Sequence, residues 1–264
     1  MALPPSLVAA LEELSSRPSV LVASDFDGVL APFVHDPMDA RPLEGTIDDL
    51  VALAGLPRTH TAVVSGRDLD TLGQLTGLAD GSPVTRIGSH GAESSHRAQT
   101  SPDDAEELSE EQQQLLERLT GDLHDVVEAH PGVRLEHKPA ATVLHTRGQE
   151  GHVAEAAVRS ALEVAQRHTG VKVLQGKNVV EMSVVTADKG TALKALQEKV
   201  GADAAVYFGD DVTDEHAFEV MDGPDVSVKV GEGETAAQFR VDSGEQVAEA
   251  LRLLVRLRRE ATAG

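Results

Sequence analysis

The sequence predicts an α/β fold in which a smaller α/β domain is inserted into a parallel-sheet core. First, short apolar segments alternate along the chain with segments of helical periodicity. This alternation is typical of a parallel sheet with helices on both faces. Second, the middle of the chain changes to the order helix, strand, strand, which occurs twice. That order indicates a separate unit with an antiparallel sheet and two helices.

The core elements are short and follow one another closely. The predicted strands are 19–24, 60–65, 83–88, 204–209 and 225–230, and the predicted helices lie near 3–16, 44–54, 68–76, 189–200, 214–221 and 243–259. Aromatic residues are only 2% of the chain, so we expect a core built from Leu, Val and Ala. We interpret the arginines of the last helix as a solvated face or as favourable charges at the helix end; they are Arg252, Arg256, Arg258 and Arg259.

The inserted domain is predicted to begin with a helix. Ser101 and Pro102, followed by acidic residues, are typical of a helix start, and leucines and valines then recur at helical spacing. The other predicted elements are strands at 133–138 and 141–147, a helix at about 150–168, and strands at 171–175 and 178–185. We therefore assign residues 108–186 to the inserted domain and residues 1–107 and 187–264 to the core domain.

The composition restricts the class of partner. The net charge of −21 argues against binding to nucleic acid or to an anionic membrane, because both need cationic surfaces. The absence of cysteine excludes disulfides and thiolate chemistry. No segment approaches the roughly 18 apolar residues of a membrane span, and the N-terminal residues lack the pattern of a secretory signal. We expect a cytoplasmic protein with a small-molecule partner; the oligomeric state is left open and includes a monomer.

Two carboxylates follow the first apolar segment. Asp25 and Asp27 are two residues apart, so an extended backbone places both side chains on one side. Carboxylates this close repel each other, which raises one pKa unless a cation is present. A divalent metal removes the conflict, and oxygen-only ligands suit Mg²⁺. Taken alone, the pair is equally compatible with an acidic loop before Gly28.

Other polar residues follow later strands, at the sheet edge where ligands bind in open α/β folds. Asp210, Asp211 and Asp214 either add to a metal site or form a solvated helix start. Ser65 precedes a glycine and either binds a phosphate oxygen beside exposed N–H groups or simply ends a strand. Lys189 opens a helix, where a positive charge opposes the macrodipole unless an anion lies nearby.

These motifs occur together and in a fixed order between about residues 20 and 240, as Asp-x-Asp-Gly, Ser-Gly, Lys and Gly-Asp-Asp-x-x-Asp. In this the chain resembles the haloacid dehalogenase superfamily of aspartate-nucleophile phosphatases. The resemblance implies that Asp25 attacks phosphorus and that Asp27 acts as general acid and base. It implies that Ser65 and Lys189 hold the phosphoryl oxygens. The implied Mg²⁺ ligands are Asp25, the carbonyl of Asp27, and Asp210, with Asp211 and Asp214 in support.

The same resemblance implies that the inserted domain is a cap that reads the leaving group and excludes water. Five segments resemble the trehalose-6-phosphate phosphatase family, namely VVSGR (63–67), GSHGAE (88–93), LEHKPAATVLHTR (135–147), GKNVVEM (176–182) and GDDVTDE (209–215). The substrate-binding residues that they imply are Gly66 and Arg67 in the core and Glu136, Lys138, Glu181, His145 and Arg147 in the cap. We interpret His90 as a loop histidine rather than a catalyst.

The sequence thus predicts a Mg²⁺-dependent phosphatase of trehalose biosynthesis that hydrolyses trehalose 6-phosphate through an aspartyl-phosphate. Another capped sugar phosphatase, of the sucrose-phosphate or mannosyl-phosphoglycerate type, has the same core residues and differs in the cap. A phosphomutase uses the same phospho-aspartate, and a non-catalytic regulatory domain retains the fold alone. The chain departs from the family pattern at Thr146, where an aromatic is expected, and in the segment 182–185.

Overall fold

The computed structural model describes residues 2–95, 108–176, 178–184 and 187–262. The chain divides into two compact units, of which the first comprises Met1–Asp104 and Ala187–Gly264 and the second Ala105–Thr186. The expected helix start at Ser101 and Pro102 lies outside the described residues. Among the described residues, no helix has the length and apolar character needed to cross a membrane.

The elements follow one another in the predicted order. They are α1 (Pro5–Ser15), β1 (Val20–Asp25), α2 (Thr46–Ala54), β2 (Thr59–Val64), α3 (Leu69–Thr76), β3 (Val84–Gly88), β4 (Glu93–Ser94), α4 (Glu110–Ala129), β5 (Arg134–Lys138), β6 (Ala141–His145), α5 (Gly151–Arg167), β7 (Lys172–Gly176), β8 (Val179–Ser183), α6 (Lys189–Val200), β9 (Ala204–Gly209), α7 (Val212–Val220), β10 (Val226–Val230), β11 (Phe239–Val241) and α8 (Gly244–Thr262). The sequence does not predict β4 and β11, because strands this short show no apolar pattern.

The first unit is a sheet with the strand order β11-β10-β9-β1-β2-β3-β4. All neighbouring strands are parallel except β3 and β4. Val20 and Val22 of β1 pack with α1, α2, α3 and α8 on one face, whereas Leu21 and Ala23 pack with α6 and α7 on the other. Because both faces are covered, the strands are continuously apolar. The predicted fold class is confirmed, with one antiparallel edge strand added.

The interpretation of the last helix is wrong at one position. Arg252, Arg256 and Arg259 are exposed, but Arg258 is only 1% exposed. Its guanidinium makes five hydrogen bonds of 2.8–3.3 Å, to the backbone carbonyls of Ser15, Arg17, Pro57 and Arg58 and to the Thr59 hydroxyl. Since these acceptors lie at the end of α1 and the start of β2, Arg258 fastens α8 to both. Such a role depends on distant carbonyls, which the helical pattern does not reveal.

The second unit has the order helix, strand, strand, repeated once. Its four strands form an antiparallel sheet in the order β5-β6-β8-β7, and α4 and α5 pack on the face that carries Leu144, Val180 and Met182. The described helix α4 begins with a capping box, in which Ser109 Oγ accepts from the Gln112 N–H at 3.2 Å and Gln112 Oε1 accepts from the Ser109 N–H at 2.9 Å.

Candidate active site

The carboxyl ends of neighbouring parallel strands bring the candidate residues of the first unit together. Asp25 is the last residue of β1, Ser65 follows β2, and Asp210 follows β9, and these three strands are adjacent in the sheet. Lys189 is the first residue of α6, on the face that α6 and α7 cover. Residues from four distant segments therefore lie at one edge, as expected for a ligand site in an open α/β sheet.

Asp214 is the centre of this cluster. Its side chain is completely buried and accepts four hydrogen bonds. Oδ1 accepts from Lys189 Nζ at 2.8 Å and from the Tyr207 hydroxyl at 2.6 Å. Oδ2 accepts from the backbone N–H groups of Asp210 at 2.9 Å and Asp211 at 3.0 Å. Asp214 thus fixes the lysine and the loop after β9 at the same time, and its lone pairs are fully used.

Lys189 places a buried positive charge between two acidic groups. It is 2% exposed, and its Nζ lies 2.8 Å from Asp214 Oδ1 and 3.1 Å from Asp25 Oδ1. Burial opposes the charge, but the carboxylates of Asp25 and Asp214 outweigh burial and raise the pKa of Lys189. The lysine is therefore a fixed cation beside Asp25.

Two carboxylates in the cluster, those of Asp25 and Asp210, have raised pKa values. Burial, the largest effect, raises the pKa of Asp25 well above its usual value in spite of Lys189. Burial and the neighbouring carboxylates of Asp214 and Asp211 raise the pKa of Asp210 to about 6. Asp210 Oδ1 is buried without a hydrogen-bond partner in the described part of the chain. A bound cation would supply both carboxylates with positive charge beyond that of Lys189.

The geometry of the cluster suits an oxygen-ligated metal. One carboxylate oxygen from each of Asp25, Asp210 and Asp214 lies within 4.8 Å of the others. Gly28 has φ +83°, and a Cβ there would collide with the Asp210 carboxylate. The glycine therefore lets the loop after β1 approach Asp210 closely. The acidic cluster can hold a metal ion, and its all-oxygen donors suit a hard cation.

Asp211 caps the next helix. Its Oδ1 accepts from the Thr213 N–H at 2.8 Å, the Thr213 hydroxyl at 2.7 Å and the Asp214 N–H at 3.2 Å. Burial opposes ionisation, but Lys189 and the Thr213 donors lower the pKa of Asp211 to about 2. The solvated helix start that the sequence allowed is therefore present at Asp211, and this N-cap residue directly follows Asp210 of the acidic cluster.

Asp27 is held by an arginine. Arg67 Nε donates to Asp27 Oδ2 at 2.7 Å and Nη2 donates to Oδ1 at 2.6 Å, which is a bidentate pair. The guanidinium carbon lies 5.7 Å from the centre of the Phe26 ring. The hydrogen bonds to Asp27 raise the pKa of Arg67. Arg67 therefore fixes the orientation of the Asp27 carboxylate when this pair is formed.

Ser65 and Gly66 form the turn that precedes Arg67. Ser65 is 1% exposed, and its Oγ accepts from the Arg67 N–H at 3.1 Å. The imidazole of His90 lies against Gly66, where a Cβ would come within 2.5 Å of ring atoms Cε1 and Nε2. The turn thus needs a glycine because His90 occupies the space of a side chain.

Four of the five predicted sugar contacts share one face of the second sheet. Glu136 and Glu181 both lie opposite Val143, and Lys138 and His145 are each two residues away along their strands. Lys138 Nζ contacts Glu181 Oε2 at 2.8 Å, and His145 Nε2 contacts Glu136 Oε2 at 2.7 Å. This face is opposite to the one that packs on α4 and α5. Arg147 follows β6 and is exposed. Lys177 of the GKNVVEM segment lies outside the described residues.

Comparison with known proteins decides the family. A family profile described as "Trehalose-phosphatase" matches residues 23–245, which is most of the chain and covers all of the second unit and most of the first. The chain belongs to the trehalose-phosphatase family. The predicted recognition is therefore confirmed, and each acidic and basic residue of the cluster lies within the matched region.

Curated members of the trehalose-phosphatase family are similar to this chain in sequence. The trehalose-phosphate phosphatase of Mycolicibacterium paratuberculosis is 35% identical over 162 residues, covering 60% of this chain and 38% of the relative. That of Mycobacterium leprae is 34% identical over 178 residues, covering 65% and 38%. The chain thus spans well under half the length of the curated relatives it matches.

Solved structures show the same fold. The C-terminal domain of trehalose-6-phosphate phosphatase from C. albicans superposes with a TM-score of 0.66 at 23% identity, covering 97% of each chain. A trehalose-6-phosphate phosphatase related protein superposes with a TM-score of 0.64 at 27% identity, covering 91% of this chain and 99% of that one.

Two residues that support the cluster were not predicted from the sequence. Tyr207 is the single tyrosine of the chain, and its hydroxyl is buried on Asp214. Lys229 in β10 is 5% exposed; its Nζ donates to the backbone carbonyl of Asp210 and lies 3.8 Å from Glu215 Oε1. Both lie inside buried strands, and a polar group at such a position indicates a hydrogen-bonding partner.

Proposed function

We propose that the protein is a Mg²⁺-dependent phosphatase that hydrolyses trehalose 6-phosphate to trehalose and inorganic phosphate. One observation carries the proposal: Asp25, Lys189 and Asp210 cluster around the buried Asp214 in a chain of the trehalose-phosphatase family. The first unit is then the catalytic domain and the second unit the cap. We place the enzyme in the cytoplasm, with a soluble sugar phosphate as substrate.

The residues present fit Mg²⁺. Asp25 and Asp210 would hold the ion, together with the backbone carbonyl of Asp27, because Asp214 already accepts four hydrogen bonds whereas Asp210 Oδ1 has no hydrogen-bond partner among the described residues. Asp214 and Asp211 would support it by fixing the loop that carries Asp210. When bound, the ion supplies positive charge against the phosphoryl oxygens.

Asp25 is the proposed nucleophile. Lys189 holds its Oδ1 at 3.1 Å, so the carboxylate is oriented before substrate binds. Its attack forms an oxygen–phosphorus bond while the phosphorus–oxygen bond to the sugar breaks, which gives an aspartyl-phosphate and a sugar alkoxide. Asp27 donates a proton to that alkoxide as it leaves. Asp27 then takes a proton from the water that attacks phosphorus, and phosphate is released.

Phosphate binding is assigned to the turn after β2 and to α6. Ser65 with the adjoining N–H of Gly66 would contact phosphoryl oxygens, and Lys189 would neutralise their charge. Arg67 would contribute through Asp27, since its guanidinium donates two hydrogen bonds to that carboxylate. Asp27 can donate a proton to the leaving alkoxide only after this pair opens. The arginine therefore holds Asp27 in place until substrate binds.

Sugar recognition is assigned to the polar face of the cap sheet. Glu136, Lys138 and Glu181 present alternating acceptors and donors, as sugar hydroxyls require. His145 and the exposed Arg147 would complete the set. The Lys138–Glu181 ion pair is already formed, so hydroxyl groups would bind an ordered rather than a flexible pair.

A substrate panel with and without Mg²⁺ tests the proposal. It should contain trehalose 6-phosphate, sucrose 6-phosphate, glucose 6-phosphate and mannosyl-phosphoglycerate, scored by phosphate release. We expect at least about a tenfold preference in kcat/KM for trehalose 6-phosphate, or about 1.4 kcal/mol. A smaller preference would favour a different capped sugar phosphatase. Asp25→Asn should abolish turnover in a folded protein, and substantial remaining activity would refute the nucleophile.

A further inference from the structure

We propose that His90 is a positioning residue of the phosphate-binding site. Its imidazole supports the turn of Ser65, Gly66 and Arg67, and the left-handed segment that carries it sets the distance between this turn and the helix of Lys189. The inference rests on the proposed function, because it assumes that Ser65 and Lys189 bind a phosphoryl group.

The backbone of this segment is strained. Ser89 has φ 49°, His90 has φ 54° and Gly91 has φ 109°, so three successive residues lie in the left-handed region. Residues with a Cβ rarely adopt it, and Gly or Asn adopts it more readily. Among the described residues that are not glycine, only Arg58 and Asn178 share this feature with Ser89 and His90. A strained histidine persists where its surroundings hold it, and such positions cluster at functional sites.

The segment is bonded directly to the phosphate-binding turn. The Ser89 N–H donates to the Arg67 carbonyl at 2.7 Å, and the His90 N–H donates to the Ser65 carbonyl at 3.0 Å. The Ser89 hydroxyl donates to Glu93 Oε1 at 2.6 Å, which holds the segment from its other side. These bonds force the left-handed conformation and place the imidazole over Gly66.

The imidazole acts on the reactive residues through Gly66. The ring edge formed by Cε1 and Nε2 fills the space of a Cβ at Gly66, so the peptide between Ser65 and Arg67 cannot move toward it. Ser65 Oγ accepts from the Arg67 N–H, and the Arg67 guanidinium holds Asp27. A displaced turn would therefore move the Ser65 hydroxyl and the Arg67–Asp27 pair together.

The other end of the segment contacts the first turn of α6. A Cβ at Gly91 would lie 2.6 Å from the Asp188 carbonyl oxygen and 2.9 Å from the Ala192 Cβ. Asp188 is the N-cap of α6 and directly precedes Lys189. The three residues are thus packed between the turn of Ser65 and the helix start of Lys189, and they keep these two groups at a fixed separation.

The test replaces the ring without adding strain. His90→Asn and His90→Gly both suit the left-handed backbone, so we expect an unfolding midpoint close to that of the wild type. We expect kcat for p-nitrophenyl phosphate to fall by about tenfold or more, and the Ki of orthovanadate, which resembles the transition state, to rise by a similar factor. Arg58→Gly is the matched control, since it relieves the same strain at an exposed position at the start of β2 and should change neither value.

A double variant separates positioning from folding. Gly66→Ala should lower the unfolding midpoint, because the added Cβ meets the imidazole, and Gly66→Ala/His90→Gly should restore the midpoint but not kcat. Wild-type kcat and vanadate Ki in His90→Asn, or kcat restored together with stability in the double variant, would overturn the proposal. Hydrolysis of p-nitrophenyl phosphate without trehalose 6-phosphate preference would overturn the proposed substrate alone. A wild type with no phosphatase activity would overturn both.

Discussion

Replacing Asp214 by asparagine should strongly destabilise the protein. The carboxylate accepts two hydrogen bonds on each oxygen and is completely buried, so water cannot replace a lost partner. Asparagine has the same shape but only one acceptor oxygen. Whichever way the amide is oriented, its NH₂ group faces two donors, either Lys189 and Tyr207 or the N–H groups of Asp210 and Asp211. Two buried donors lose their acceptor at about 1–3 kcal/mol each, or about 2–6 kcal/mol in total.

Urea unfolding followed by far-ultraviolet circular dichroism measures this loss, because the chain has no tryptophan for fluorescence. Asp222→Asn, at an exposed position just after α7, is the control and should change the free energy of unfolding by less than about 0.5 kcal/mol. Asp214→Asn should also lower kcat, since it releases Lys189 and the loop of Asp210. A cost below about 1 kcal/mol would refute the assignment of Asp214 as the centre of the cluster.

Tyr207 provides an internal check. Tyr207→Phe removes the hydroxyl donor and leaves the ring, so it should cost about 1 kcal/mol in the wild type. In the Asp214→Asn background its effect should differ, because both side chains share one hydrogen bond, and the double-mutant cycle should give a coupling energy above about 0.5 kcal/mol. Additive effects would mean that the two side chains do not interact.

Three further predictions concern catalysis, recognition and the metal. Arg67→Gln should lower kcat for trehalose 6-phosphate by about tenfold or more. It should lower kcat for p-nitrophenyl phosphate much less, because nitrophenolate leaves without a proton from Asp27. Equal losses for the two substrates in steady-state assays would contradict the role of Arg67 in positioning Asp27. Glu181→Gln breaks the ion pair with Lys138 and should raise KM for trehalose 6-phosphate while KM for p-nitrophenyl phosphate stays constant; a rise for both substrates would exclude a role in sugar recognition. In EDTA, without metal, the pKa of Asp210 is about 6 in the folded protein and about 3.9 in the unfolded chain, so the folded protein binds the proton more tightly. Protonation of Asp210 therefore stabilises the fold, and this stabilisation is complete below about pH 4 and lost as the pH rises through about 6. The urea midpoint of metal-free protein should therefore fall between about pH 4 and 6 and Mg²⁺ should remove the fall, whereas a pH profile that Mg²⁺ leaves unchanged would contradict the metal site.

Local patterns predicted the elements well for physical reasons. Strands covered on both faces must be apolar throughout, so β1, β2, β3, β9 and β10 are visible as short apolar segments. The two-residue strand β4 and the three-residue β11 bury too little to leave such a pattern. The burial of Arg258 was not predictable, because its local sequence is the same as that of the exposed arginines around it and its five acceptors lie about 200 or more residues away in the chain.

The candidate site was predicted only in part. The carboxylates, the serine and the lysine stand at strand or helix ends, where their types and order already indicate phosphate chemistry. Their partners were not predictable. That Arg67 holds Asp27, that Tyr207 and Lys229 support the loop after β9, and that His90 occupies the space beside Gly66 all depend on distances between separate segments.

The sequence by itself determined the fold class, the insertion of a second α/β unit and the candidate residues for metal and phosphate binding, because strand burial, helix periodicity and side-chain chemistry are local properties. The tertiary structure alone decided which carboxylate is saturated and which remains available. Asp214 and Asp210 are four residues apart in one acidic motif, yet the first accepts four hydrogen bonds and the second keeps a buried oxygen that has no partner among the described residues. The difference arises because Lys189 and Tyr207 reach Asp214 from other elements, and only folding brings them there.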